Sequence, residues 1–114
     1  GEVPYTAYFA KKSTIENDPD LIRKLTNAIY KGQQWVDTNS PEEIAQAIQP
    51  YFPDESMDIL VTAIDNYKNQ NSWKKDPLLL EEDFYLLQQI IKDAGELDKI
   101  APYEKVVTTE FVPE

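Results

Sequence analysis

The chain has 114 residues, 41% of them hydrophobic and 11% aromatic, which suits one small folded domain and argues against wholesale disorder. Eleven Lys and Arg face 21 Asp and Glu, a formal net charge of -10, and such a surface repels nucleic-acid phosphates and anionic lipid head groups. With no Cys and no His, thiol nucleophiles, imidazole bases, disulfides and most zinc sites are excluded.

Residues 3–11 are rich in aromatics with some alternation, and they predict a strand, with Pro4 confined to its start or to a sheet edge. Residues 12–17 are polar and predict a loop. Asp18 then suits an N-cap and Pro19 the first helical position, so a helix is expected over about 19–36. Leu21, Leu25, Ala28, Ile29, Gly32, Trp35 and Val36 share one face of it, and Gly32 there implies close packing against a neighbour. The helix should stop near Asp37-Thr38-Asn39.

Ser40-Pro41-Glu42-Glu43 is a capping-box signal that opens a second helix over 41–49, with Ile44, Ala45, Ala47 and Ile48 inward and Pro50 and Pro53 ending it. Asp54 is expected to cap a third helix over 55–69, in which Met57, Leu60, Val61, Ile64 and Tyr67 keep a three-four spacing. Residues 68–79 turn polar and form a loop holding Trp73. A fourth helix is expected over 81–94. Acids favour its positive end, Phe84, Leu87, Ile90, Ile91 and Ala94 face inward, and Gly95 supplies the left-handed residue that ends it. The tail, 101–114, reads as a short strand or an extended packing arm. No apolar run approaches the length of a membrane span.

A single strand with four helices cannot complete a sheet, so the strand over 3–11 requires partners. Together with an opening at Gly1-Glu2-Val3-Pro4 that runs directly into that strand, this leads to the expectation of a segment from a longer chain.

Catalytic motifs are scarce. Three glycines, at positions 1, 32 and 95, cannot build a phosphate-cradling loop, and a triad lacks its base. Asp18 with Asp20, and Glu81-Glu82-Asp83, are the densest carboxylate clusters. They admit an acid pair or a calcium site, but both lie at helix starts, where acids offset the helix dipole. Trp35, Tyr30 and Phe84 read as core residues. Trp73 is either a partner contact or a side chain folded back over the core, and Tyr5, Thr6 and Tyr8 either pack in the strand or face a cleft.

Taken together, the elements resemble a known family. Glu16-Asn17-Asp18-Pro19-Asp20-Leu21-Ile22, continuing through Leu25, Ala28, Gly32 and Trp35, is similar to the "NP-x-L-I-x-x-F-x-x-A-x-x-x-G-x-x-W" pattern of nitrate/sulfonate/taurine-type substrate-binding proteins of ABC importers. That group is related to receptors for thiamine-precursor pyrimidines. Ser40 to Ala45 resembles the family's second helix start, Tyr51-Phe52-Pro53 its spacer, and Ala94-Gly95-Glu96-Leu97 the end of its terminal helix. Leu25 departs from the pattern, where an aromatic is common.

The resemblance covers nearly the whole chain. It implies a mostly α segment, 1–114, with one or two strands: the C-terminal part of a periplasmic-binding-protein type II α/β lobe, following a hinge strand. It implies a receptor that captures a small molecule and delivers it to the membrane subunits of an ABC transporter, without enzymatic activity, cofactor or nucleic acid. The parent protein is then exported, as a periplasmic protein or a cell-surface lipoprotein. Glu2, Tyr5 and Thr6, nearest the inferred hinge, are the candidate ligand-binding residues, and the orphan strand predicts a homodimer of the isolated segment. Two other readings compete: a stand-alone acidic helical interaction module with strand 3–11 covered by the tail, and an acid-dependent hydrolase using Glu81 or Asp83.

Overall fold

A computed structural model describes residues 2–113. Among them the chain forms helices α1 (Lys12–Asn17), α2 (Pro19–Thr38), α3 (Pro41–Ile48), α4 (Met57–Asn69), α5 (Glu81–Asp93) and α6 (Tyr103–Val106), with a 3-10 turn at Gln49–Tyr51 and no strand. Two compact units result. One joins residues up to Thr26 with those from Leu78 onward, and the other is Asn27–Pro77. No helix among the described residues is long and apolar enough to cross a membrane.

The absence of a sheet overturns the α/β reading. Residues 2–11 carry no regular secondary structure, and the tail forms the short helix α6 where a strand was one of two expectations. A strand exists only through its neighbour's hydrogen bonds, and no second strand is present among the described residues to supply them. The chain is therefore helical, and it does not form a periplasmic-binding-protein type II lobe. Residues 12–17, expected as a loop, form α1, a short helix without a side-chain cap or a buried residue.

In the unit Asn27–Pro77, the capping box forms as its spacing requires. The Glu43 amide donates to Ser40 Oγ at 3.2 Å, and the Ser40 amide donates to the Glu43 carboxylate at 3.4 Å. Helix α4 is capped by Ser56 rather than Asp54: the Ile59 amide donates to Ser56 Oγ at 3.3 Å, because the helix starts at Met57, beyond the Pro53 turn. Ile44 and Ala45 of α3 pack with Leu60 and Ile64 of α4, and Val36, Ile48, Met57 and Val61 border this core.

Lys68 anchors the end of α2 to α4. Its ammonium donates to the carbonyls of Val36 at 2.8 Å and Asn39 at 2.6 Å, satisfying acceptors that a helix C-terminus leaves open. Helix α4 ends on Asn71, whose φ of 56° lies in the left-handed region. The amides of Asn71 and Ser72 return to the carbonyls of Lys68 and Tyr67 at 3.1 and 3.0 Å, the double closure that Asn tolerates better than most residues. Trp73 follows and lies against Tyr67, ring centroids 5.4 Å apart.

In the other unit, Asp18 caps α2 by accepting from the Leu21 amide at 3.2 Å. Helix α5 ends at Gly95 with φ 82°, where the amides of Gly95 and Glu96 return to Lys92 and Ile91 at 2.9 and 3.0 Å. Buried Gln88 holds the segment before α6 as a second backbone would. It donates to the Ala101 carbonyl at 3.1 Å and accepts from the Ala101 amide at 2.7 Å. Tyr103 donates its hydroxyl to the Leu79 carbonyl and sets its ring edge-on to Phe84 at 5.9 Å. Phe111, buried, lies under the Arg23 guanidinium at 5.2 Å.

Helix α2 departs most from its expected packing. It has a strong apolar stripe yet buries no residue, and Leu21, Leu25 and Trp35 are exposed. Open space surrounds the position a side chain at Gly32 would fill, so the close packing inferred there is absent.

Two consequences are measurable by urea unfolding. Lys68→Met leaves the Val36 and Asn39 carbonyls without their charged donor and should cost about 1.5–3 kcal/mol. Gly95→Ala should cost about 1–2 kcal/mol through backbone strain alone, since nothing crowds the site, whereas Asn71→Gly should be neutral or slightly stabilising. Equal effects of the two turn substitutions would contradict the left-handed assignments.

Candidate functional site

The candidate ligand residues Glu2, Tyr5 and Thr6 lie on the irregular segment that precedes α1, and the structure separates their roles. Tyr5 is fully exposed and Thr6 is also exposed. Glu2 lines an open depression of about 500 Å³ together with Leu80, Glu82, Asp83 and Leu86. Tyr5 and Thr6 do not line it. Of the three candidates, Glu2 is the one that lines the depression at the start of α5.

The depression is built by the local chemistry of α5. Leu80 stands at the N-cap without a side-chain cap, and Glu81, Glu82 and Asp83 fill the first turn. Carboxylates there oppose the partial positive charge of the free amides. Asp83 is buried even so, while Glu82 is exposed. Leu80 and Leu86 supply the apolar walls. Sequence reasoning found the acids but assigned them to the dipole, and it missed Leu80 and Leu86, whose place in the depression depends on the fold rather than on any local motif. Glu81, one of the two residues named for acid-dependent hydrolysis, is not part of the lining.

Chemically the depression offers hydrogen-bond acceptors between aliphatic side chains. No group of three or more acidic residues among those described is placed to hold a metal ion. A second shallow surface on α4, lined by Asp58, Ile59, Thr62, Ala63 and Asn66, is more open and mostly apolar.

Comparison with known proteins adds one relationship. No family model matches the chain, and no solved structure matches it. The chain is similar to a protein of Bacillus subtilis (strain 168) that bears the name "Putative binding protein YtlA", with 46% identity over 111 residues. The match takes in 97% of this chain and 33% of that protein, so the chain spans about a third of the length of the curated relative it matches.

If Asp83 serves the helix dipole, Asp83→Ala should lower unfolding stability by about 0.5–1 kcal/mol, while Thr6→Ala, at an exposed position outside the lining of the depression, should leave it unchanged. A larger loss at Thr6 than at Asp83, measured by urea titration, would reverse this assignment.

Proposed function

We propose that this chain is a segment of a solute-binding receptor, of nitrate/sulfonate/taurine type, which captures a small molecule and hands it to the membrane subunits of an ABC transporter. The observation that carries the proposal is the 46% identity, across 97% of the chain, with a relative named as a binding protein. The signature around Asp18-Pro19, Gly32 and Trp35 supplies the narrower family reading. In this reading the receptor is exported, is not an enzyme and needs no cofactor, and most of its ligand contacts lie in polypeptide outside these 114 residues.

Thin packing supports a segment over a self-sufficient module. The buried apolar residues among those described are Ile44, Ala45, Leu60, Ile64 and Phe111, few for a chain of this length, and many large apolar side chains face solvent. A stand-alone interaction module required residues 3–11 to be covered by the tail, yet Tyr5, Tyr8 and Phe9 are exposed.

The reading is tested by thermal unfolding of intact YtlA of Bacillus subtilis with taurine, nitrate and a hydroxymethylpyrimidine as probes, each at a hundred times a micromolar affinity. Binding at that excess contributes about 2.7 kcal/mol, a shift of several degrees. The 114-residue chain alone should show no shift with any probe. Absence of a shift in the intact relative with all three would remove the nitrate/sulfonate/taurine assignment, and absence of capture by the cognate membrane subunits would remove the transport reading.

A further inference from the structure

The first turn of α5 holds three carboxylates, and one of them differs from the others. Glu81 and Glu82 are exposed, whereas Asp83 keeps only 9% of its surface in solvent. Among the described residues the Asp83 carboxylate takes part in no hydrogen bond or ion pair. Its oxygens are not sealed off, so the surface it retains opens on the depression it lines. The helix dipole explains why acids stand in this turn, and the two exposed ones already serve it. It does not explain why one of them is buried. Taking a charge out of water costs free energy that only a partner charge or a donor returns. Around Asp83 the depression is lined by Glu2, Glu82, Leu80 and Leu86, and among the described residues no basic side chain joins them.

We propose that this depression binds an organic cation: a primary ammonium carried on an alkyl chain. The Asp83 carboxylate accepts from the ammonium, and Glu82 adds a second negative charge beside it. Leu80 and Leu86 cover the alkyl chain, as apolar surface covers the stem of a lysine. The lining selects this class of ligand. Carboxylates repel an anion. A metal ion needs several converging oxygen ligands, and no group of three acidic residues among those described is placed to supply them. An ammonium needs one buried carboxylate and tolerates aliphatic walls, and a volume of about 500 Å³ lies within the range of small-molecule sites. A free alkylamine and a lysine side chain of another protein present the same group, and the test below separates them. The inference does not rest on the receptor reading, because nitrate and sulfonate groups are anions. Their capture by the intact relative and ammonium binding here succeed or fail separately.

Amide chemical shifts of the 114-residue chain test it, at constant ionic strength. The probes are n-butylammonium, as the free amine, and N-acetyl-lysine methylamide, as the lysine side chain, with butanol and calcium chloride as controls. Either amine should produce saturable shifts over residues 80–86. Asp83→Asn, which keeps the shape of the side chain, should weaken that binding by about tenfold or more. Where Asp83→Asn disturbs the fold, the Ala101 amide held by Gln88 reports it. Glu82→Gln, at an exposed position, then carries the test and should weaken binding by about threefold. Tighter binding of n-butylammonium identifies a small amine as the ligand, and tighter binding of the lysine derivative identifies a protein side chain. Absence of saturable shifts with both amines would overturn the proposal. So would butanol binding as well as the amines, binding of calcium alone, or undiminished amine affinity in both variants.

Discussion

Ile44 and Ala45 on α3 meet Leu60 and Ile64 on α4, and the unit Asn27–Pro77 depends on that seam. Each fully buried aliphatic side chain contributes about 1.5–3 kcal/mol. The helices it joins are short, eight and thirteen residues, and helices of that length are marginal on their own. Their ends must therefore be held by local devices: the Ser40–Glu43 capping box, the Ser56 cap, the left-handed closure at Asn71, and the Lys68 ammonium on the last carbonyls of α2. The seam orients α3 against α4, and the polar contacts decide where each helix begins and stops. The other unit works on a similar plan with even less buried apolar surface, using Gln88 on Ala101 and Tyr103 on Leu79 where a larger core would use aliphatic packing.

The features legible in the sequence are those whose cause lies within a few residues. Asp18 before Pro19, Ser40 three residues before Glu43, and Gly95 after the last periodic position of α5 each act across one helical turn, and each does in the structure what its spacing implies. The misreadings involve distant partners. Alternating aromatics over 3–11 describe a strand only if another strand lies beside it, and the same pattern unpaired has no regular structure. Helix α1 has neither an apolar stripe nor a side-chain cap, so no local signal marks it. Asp54 and Ser56 are both good capping residues, and the choice between them was settled by where the turn after Phe52 ends.

The candidate site divides along the same line. A cluster of acids at the start of α5 is visible as Glu81-Glu82-Asp83, but that Glu82 and Asp83 share a depression with Glu2 across about 80 residues of sequence is a property of the fold. Tyr5 and Thr6 are candidates only through their nearness to an inferred hinge. With no sheet among the described residues, that hinge has no structural counterpart here, and the two side chains stand in solvent rather than at the depression.

The apolar stripe of α2 and the exposed aromatics before α1 put one question. A helix whose sequence separates apolar from polar faces this sharply is ordinarily laid against something, and the stripe then reports the area that burial removes from water. Here the stripe is present and full burial is absent: Val36 borders the core between α3 and α4 and Ile29 is half-buried, but Leu21 and Leu25 are exposed in one unit and Trp35 in the other. Single exposed apolar residues are common and need no explanation, but a patterned set is informative, because a periodic face is not needed for solubility. A net charge of -10 opposes association through unburied aromatic and aliphatic surface. It does not account for the pattern itself. Helical periodicity in α2 and clustered aromatics before α1 are two separate features that leave apolar side chains in solvent, in a chain that matches about a third of its relative's length.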